Sequence, residues 1–242
     1  IYDFDQNDIV KGSGYITSQC CGSTEIELGT VYAAEMGISL FSDINRYTLP
    51  DAILTLSYHL QLADESYEEV PMGIFEVSEA NRKAKCLEII NSAKDNGKYG
   101  IVVYDFMVRF EKNFNGYESV GNAYDFMVLC ANSCDVELEQ DRETIEAMPN
   151  GDIPLSIYTD NDIETYRDVL YYVGQVLGGF FVINRSGKLE LKKYRNTSDL
   201  LVERRHRFTS SFSDYITRYT AVSSTNLRTQ IAEYYALETD DG

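Results

Sequence analysis

The segment DNDIETYRDVLYYVGQVLGGFFVINRSGKLELKKY, residues 160–194, dominates the predicted fold. Asn161 with Glu164 is typical of a helix capping box, and Gly178 with Gly179 is typical of a helix end. Between them, apolar side chains recur at helical spacing, and these are Tyr166, Val169, Leu170, Val173 and Leu177. The strand-like runs FFVIN and KLELKKY follow, joined by the turn RSG. The segment therefore predicts a helix followed by a β-hairpin.

The pentapeptide YDFMV occurs twice, at residues 104–108 and 124–128. The first copy lies in IVVYDFMVRF, whose alternating pattern predicts a continuing strand. The second copy lies in a stripe with helical spacing, for which Ser119 is available as the N-cap. That stripe consists of Val120, Ala123, Tyr124, Met127, Ala131 and Cys134. Because the flanks RFEKNFNG and LCANSCDV do not match, we interpret the identity as coincidence rather than as a repeat.

Short strands are predicted throughout the N-terminal part of the chain, and the clearest is AILTLSYHLQL at 52–62. Its even-numbered residues share one apolar face, namely Ala52, Leu54, Leu56, Tyr58, Leu60 and Leu62. Shorter candidates are GYITSQCC, TEIELG, EMGISLFS, MGIFEVSEA and KCLEII. A strand pattern returns in FTSSFSDYITRYTAVSST at 208–225. Strands spaced about 8–12 residues apart predict a barrel or a sandwich.

The composition is that of a globular protein with a strong acidic excess. The chain has 242 residues, 44% hydrophobic and 25% charged, with a formal net charge of −18. This charge argues against a surface that grips nucleic-acid phosphates. We find no apolar run long enough for a membrane span and no secretion leader, so we expect synthesis in the cytoplasm. Because the chain begins at Ile1 and stops at a charged DDG, we expect it to be part of a longer polypeptide.

The cysteines do not indicate a disulfide scaffold. Five are present, an odd number at low density: Cys20, Cys21, Cys86, Cys130 and Cys134. Reduced thiols are the expectation for a protein made in the cytoplasm. Cys20 and Cys21 with Cys130 and Cys134 form a weak candidate for a four-sulfur zinc site. The spacing differs from the usual two-residue knuckle, so we predict no metal and no cofactor.

A search for catalytic patterns yields candidates but no motif. A glycosidase needs two carboxylates, and the candidate pairs are Glu68 with Glu69, Asp160 with Asp162, and Asp105 with Glu111. Asp160–Asp162 resembles the start of a calcium loop, but Thr165 and Tyr166 break that pattern. The histidines, His59 and His206, fit solvated surface positions, and the basic cluster Arg204, Arg205, His206 and Arg207 fits pairing with acidic groups. We therefore predict no catalytic residues.

Several segments together resemble the N-terminal hub region of phage tail-tip proteins, the family of tail-associated lysins or prophage endopeptidase tail proteins. They are IVKGSGYITSQCCGSTEIELGTVYAAEMGISL (9–40), EEVPMGIFEVSEANR (68–82), YDFMVRF (104–110), residues 165–194, and HRFTSSFSDYITRYT (206–220). This family is similar in fold to the baseplate hub protein of contractile tails. The stretch INSAKDNGKYG (90–100) is longer than the family's connection and is expected to be a surface loop.

The resemblance implies a mainly β fold with an α+β insert. Residues 1–111 would form a first tube-forming β-barrel, 112–205 an inserted helix–helix–hairpin domain, and 206–242 the start of a second, incomplete barrel. Three subunits would form a ring that closes the distal end of the tail tube. The partners would be the distal tail or tail-tube protein and the tape-measure protein, at a virion tail tip or baseplate.

The resemblance further implies a structural, non-enzymatic protein that carries lytic or host-contact modules downstream. We expect an acidic channel that DNA crosses without specific binding, and exposed strand edges that pair between subunits. Two alternatives remain open at this stage. One is a cell-wall-degrading hydrolase that uses paired carboxylates, and the other is a host-glycan-binding module with a tyrosine-lined groove.

Overall fold

The computed structural model shows a mainly β chain with a few helices. The chain divides into two compact units, Ile1–Tyr194 and Arg195–Gly242. The described residues are 1–22, 25–41, 49, 51–77, 98–116, 119–158, 162–194, 203, 220–226 and 229–236, with only the backbone described at 98–102 and 226.

The first unit contains a five-stranded antiparallel sheet with the order β1-β2-β5-β4-β3. Its strands are β1 Tyr15–Thr17, β2 Glu35–Phe41, β3 Ile53–Gln61, β4 Tyr67–Glu76 and β5 Lys98–Asp105. The strands predicted in GYITSQCC, EMGISLFS, AILTLSYHLQL and MGIFEVSEA are confirmed over these bounds. TEIELG forms no strand over its described residues, so that prediction is wrong there. KCLEII and residues 90–97 of the predicted loop lie outside the described residues. Residues 98–100 belong to β5, so the loop prediction is wrong there.

The sheet has its own apolar core on one face. It consists of Met36, Ile38, Leu40, Phe75, Val77 and Val103. Leu54 and Leu56 of β3 pack against this core, but a β-bulge follows at Leu56/Ser57. Beyond the bulge, Tyr58, Leu60 and Leu62 are exposed, so the predicted apolar face is only partly buried. We call this projecting part of the hairpin, residues 57–71, the arm.

The first YDFMV copy is a strand only as far as Asp105, so the strand predicted through residue 110 is wrong in its second half. A 3₁₀ helix, Phe106–Glu111, follows directly. The Asp105 carboxylate is its N-cap and accepts a hydrogen bond from the backbone N–H of Met107 at 3.0 Å. The helix buries Met107, Val108 and Phe110, and Met107 and Phe110 join the core that the α-helices form.

Three α-helices and two small sheets complete the first unit. They are α1 Ala123–Cys134, α2 Arg142–Glu146, α3 Tyr166–Leu177, the pair β6 Val120–Gly121 with β7 Leu155–Ser156, and the hairpin β8 Gly179–Ile183 with β9 Leu189–Lys193. The second YDFMV copy is helical, as predicted. The buried α3 stripe, the left-handed Gly178 after it and the following hairpin are also confirmed.

Both predicted helix starts are wrong in detail. Helix α1 is capped by Asn122 in a capping box with Asp125, not by Ser119, and Val120 is 76% exposed in β6. Helix α3 is capped by Thr165 in a capping box with Asp168. Asn161, the predicted cap, lies outside the described residues. In both helices the carboxylate of the acidic third residue accepts a hydrogen bond from the backbone N–H of the cap, so the helix starts next to the apolar stripe.

Helices α1 and α3 pack with the β8–β9 hairpin around a second core. Its members include Met107, Phe110, Met127, Cys130, Leu170, Phe181 and Leu189. Segments from elsewhere extend the hairpin on both sides, because Val31 bridges Phe181 and Leu138 bridges Leu189, both in parallel. The N-terminal segment, through Val31, therefore pairs by its backbone with the β8–β9 hairpin, which packs against α1 and α3.

The second unit contains the antiparallel hairpin β10 Ala221–Asn226 with β11 Ile231–Ala236. Val222, Ile231, Tyr234 and Tyr235 of this hairpin are all more than half exposed. The described strands belong to open sheets, and closure into two barrels remains a prediction, as do the domain boundaries at 111/112 and 205/206.

Candidate functional site

The carboxylate pairs suggested by the sequence do not converge. Glu68 and Glu69 are successive residues of β4, so their side chains leave opposite faces of the strand. Glu68 lies across from Leu60, and Glu69 lies across from His59. Two carboxylates that face away from each other cannot flank one glycosidic bond.

Asp105 and Glu111 have separate structural roles. Asp105 is 4% exposed and accepts backbone hydrogen bonds from Ala34 and Met107, both at 3.0 Å. Burial raises the pKa of Asp105 to about 7, although these two hydrogen bonds favour its ionised form. Glu111 forms an ion pair with Arg167 of α3. The two carboxylates therefore join the sheet, the 3₁₀ helix and α3. Asp105 is buried, whereas Glu111 lies in its ion pair at the wall of a groove.

The remaining candidates give no metal or acid–base centre within the described ranges. Asp162 is exposed, while Asp160, Cys86 and the cluster Arg204–Arg207 with His206 lie outside those ranges. No group of three or more metal-ligating side chains is found among the residues that the structure describes, so the four-sulfur zinc site is not formed there. His59 is exposed on β3.

A polar arrangement that links distant segments surrounds Arg109 of the 3₁₀ helix, and we call it the joint. Its guanidinium pairs with the Glu76 carboxylate at 2.6 Å and donates to the Asp135 carbonyl at 2.7 Å. It also lies 4.0 Å from the centre of the Phe106 ring. Arg109 thus ties the last residue of β4 to the left-handed C-cap of α1. Sequence reasoning missed this joint, because the three segments are far apart in the chain.

Two grooves lie beside this joint, and Asp135 lines both. The larger, about 790 Å³, runs between α1 and the β8–β9 turn, where Lys188 and Glu137 pair at 3.3 Å. The smaller, about 520 Å³, contains Lys112, whose ammonium donates to the Ser133 carbonyl. The nearby Cys134 thiol has its pKa raised to about 11 by burial, so it is not a nucleophile at neutral pH. The grooves can accept a polar group, but the cations that line them already have partners.

Exposed apolar strand surfaces are the more distinctive feature. On the arm, Tyr58 is 58% exposed and Leu60 is 42% exposed on one face, while Tyr67 is 65% exposed on the other. On the β10–β11 hairpin, Tyr234 is 71% exposed. Strands that present aromatic side chains on both faces are typical of surfaces that become covered by another protein. The high tyrosine content is the sequence signal for them.

Neither family models nor curated sequences supply a relative from which a function can be transferred. No protein-family model matches the chain, and no curated protein matches it. Among the described residues, no helix has the length and apolarity needed to cross a membrane. The assignment of function therefore rests on the surfaces, the joint and the sequence patterns described above.

Proposed function

We propose that the chain is a structural protein of a bacteriophage or prophage tail. In this proposal, three copies form a hub that closes the distal end of the tail tube and carries downstream host-contact or lytic modules. The observation that carries the proposal is the exposure of apolar strand residues on the arm and on the β10–β11 hairpin. A protein of this kind functions through assembly, and these surfaces supply contact area.

The arm supports the proposal through its geometry. Its strands extend past the sheet core, so Tyr58 and Leu60 are exposed although β3 itself is fully paired with β4 through Gln61. A projecting hairpin reaches a neighbouring subunit without any rearrangement of the sheet behind it. Burial of one large side chain at such an interface contributes about 1.5–3 kcal/mol.

The charge and the candidate residues also favour a structural role over hydrolysis. The net charge of −18 suits a channel wall from which DNA is repelled. The carboxylate pairs within the described residues either face apart or act as caps and ion-pair partners. The hydrolase alternative loses its described candidates for the catalytic pair.

The test is the solution mass of the chain by light scattering coupled to gel filtration over a range of concentrations. We expect a stable species at three times the monomer mass of 27.5 kDa, and ring-shaped particles by electron microscopy. A monomer at every concentration, or a closed dimer, would overturn the trimeric hub. Release of soluble fragments from purified cell walls by the same preparation would instead support the hydrolase.

A further inference from the structure

Cys20 and Cys21 are adjacent in the chain and adjacent in space. Their sulfur atoms are 3.9 Å apart, and both residues are half-buried. The other two described cysteines, Cys130 and Cys134, are buried in the α1–α3 core. The Cys20–Cys21 pair is therefore the described dithiol that a small reagent in solvent can reach.

The backbone around the pair is held by hydrogen bonds on both sides. The carbonyl oxygen of Cys20 accepts from the Thr30 hydroxyl and from the Tyr194 hydroxyl, the latter at 3.3 Å. The Gly22 N–H donates to the Glu27 carboxylate at 3.1 Å. Tyr194 comes directly after β9, so the peptide between the two cysteines also anchors the end of that strand.

Tyr194 remains a hydrogen-bond donor at all ordinary pH values. Burial raises the pKa of its phenol to about 12, and the neighbouring Cys20 adds to this effect. The Tyr194 hydroxyl also reaches the carbonyl of Glu27 at 3.2 Å. The reduced pair is thus part of a defined hydrogen-bonded loop, in which its sulfur atoms lie 3.9 Å apart.

We propose that Cys20 and Cys21 form a redox site that a low-molecular-weight disulfide converts into a vicinal disulfide. The thiolate of one cysteine attacks the reagent disulfide and releases one thiol, which leaves a mixed disulfide on the protein. The second cysteine then attacks the protein-bound sulfur and releases the second thiol. The protein loses two electrons and two protons, and the reagent disulfide gains both as two thiols.

Formation of the Cys20–Cys21 disulfide changes the peptide group to which the Tyr194 hydroxyl donates a hydrogen bond. The new ring contains the Cys20–Cys21 peptide group, and the sulfurs must approach from 3.9 Å to bonding distance. The Cys20 carbonyl must reorient, which weakens the contacts from Thr30 and Tyr194. Because a bond between adjacent residues is strained, it is easily reduced again, as regulatory disulfides are. The inference does not depend on the proposed tail function.

The test is incubation of the whole chain with oxidised glutathione, followed by acid quenching, intact mass measurement and peptide mapping. In the unaltered protein we expect loss of two hydrogen atoms, located in the peptide that contains both cysteines, with no retained glutathione. Cys20→Ser and Cys21→Ser should each retain one glutathione on the remaining thiol. A persistent adduct in the unaltered protein, no reaction at this pair, or hydrogen loss assigned to another cysteine would overturn the proposal.

The coupling to Tyr194 has its own matched control. At a fixed ratio of reduced to oxidised glutathione, Tyr194→Phe should raise the equilibrium constant for oxidation about fivefold, because the reduced form loses one hydrogen bond. Tyr15→Phe also removes one phenolic hydroxyl, but that hydroxyl bonds Glu35 on the sheet, so this variant should leave the constant unchanged. Equal constants in the two variants would contradict the coupling.

Discussion

At the scale of single residues, Gly174 marks a close backbone approach between the N-terminal segment and helix α3. A Cβ atom at this position would lie 2.8 Å from the Cα of Gly29 and 3.3 Å from the Gly179 carbonyl. Gly29 has a φ of +85° and donates its N–H to that same carbonyl at 2.7 Å. Two glycines thus allow a loop to cross directly over a helix.

Gly174→Ala should destabilise the first unit by about 1–3 kcal/mol, because neighbouring backbone atoms must shift to admit the methyl group. In a solvent-exposed helix the same change would raise the free energy of unfolding by about 1 kcal/mol. The sign of the measured change therefore shows whether the contact with Gly29 resists the added methyl group. Chemical denaturation measures this change in the free energy of unfolding. The control is Gly14→Ala, whose added Cβ meets nothing within 4 Å. A stabilised Gly174→Ala variant would contradict the close packing.

Asp105 gives the protein a pH-dependent contribution to stability. Its pKa is 3.8 when unfolded and about 7 when buried, so between these values the folded state binds more protons than the unfolded state. The free energy of unfolding due to Asp105 therefore falls as pH rises through this interval, by up to about 4 kcal/mol. Carboxylates with a lowered pKa have the opposite effect, because their contribution to stability increases as pH rises. Asp125 is an example, since its hydrogen bond with the Arg142 guanidinium lowers its pKa.

Asp105→Asn isolates this effect, because the amide does not titrate. We expect the free energy of unfolding of the unaltered protein, minus that of the variant, to decrease from pH 3.8 to about 7 and to level off above it. Urea denaturation at a series of pH values measures the difference. A constant difference would show that hydrogen bonding from Ala34 and Met107 balances burial, and a difference that increases with pH would show that it outweighs burial.

At the scale of elements, the two YDFMV copies show what a local sequence does and does not determine. In the first copy Asp105 caps a 3₁₀ helix, and in the second Asp125 is the third residue of α1 and completes its capping box. Both carboxylates accept hydrogen bonds from backbone N–H groups. Asp105 accepts as the cap of its helix, from Met107, whereas Asp125 accepts as the third residue of α1, from the cap Asn122. The sequence predicts α1 from its flanking stripe; it does not predict where the first copy leaves the sheet.

Helix α3 was predictable because its apolar stripe and its terminal glycine agree. The cap was not, since several polar residues precede the stripe and the extended backbone of Thr165 cannot be read from the sequence. Thr165→Ala should cost about 1 kcal/mol of stability, because the Asp168 N–H loses its side-chain acceptor. Thr165→Ser keeps the hydroxyl and serves as the control in thermal denaturation. Equal losses in both variants would point to the lost methyl group instead.

The strand order and the Arg109 joint were beyond sequence reasoning for a different reason. Strand β5 lies between β2 and β4, and Arg109 joins Glu76 to Asp135, so both depend on contacts between distant segments. Periodicity identifies which face of a strand is apolar, but it carries no information about the neighbouring strand. The same limit explains the arm, whose apolar residues follow the alternating pattern of a buried face and yet are exposed.

At the scale of the whole molecule, the proposed hub would bring strongly acidic chains together. Copies with a net charge of −18 repel one another, so such an assembly needs apolar contacts that offset this repulsion. In our proposal, the exposed residues of the arm provide these contacts. Added salt screens the repulsion but leaves apolar contacts intact, so the proposed trimer should strengthen as ionic strength rises.

The double variant Tyr58→Thr with Leu60→Thr tests the arm as the assembly surface. Threonine keeps the strand preference of these positions while it removes most of the apolar area, so folding should be preserved. We expect the dissociation constant of the trimer to rise on the order of tenfold or more, measured by light scattering across a dilution series. The control is Ile153→Thr, which changes a residue of similar exposure, 43%, outside both hairpins. If the double variant associates as tightly as the control while both keep the thermal stability of the unaltered chain, the arm is not the assembly surface, and the β10–β11 hairpin becomes the next surface to change.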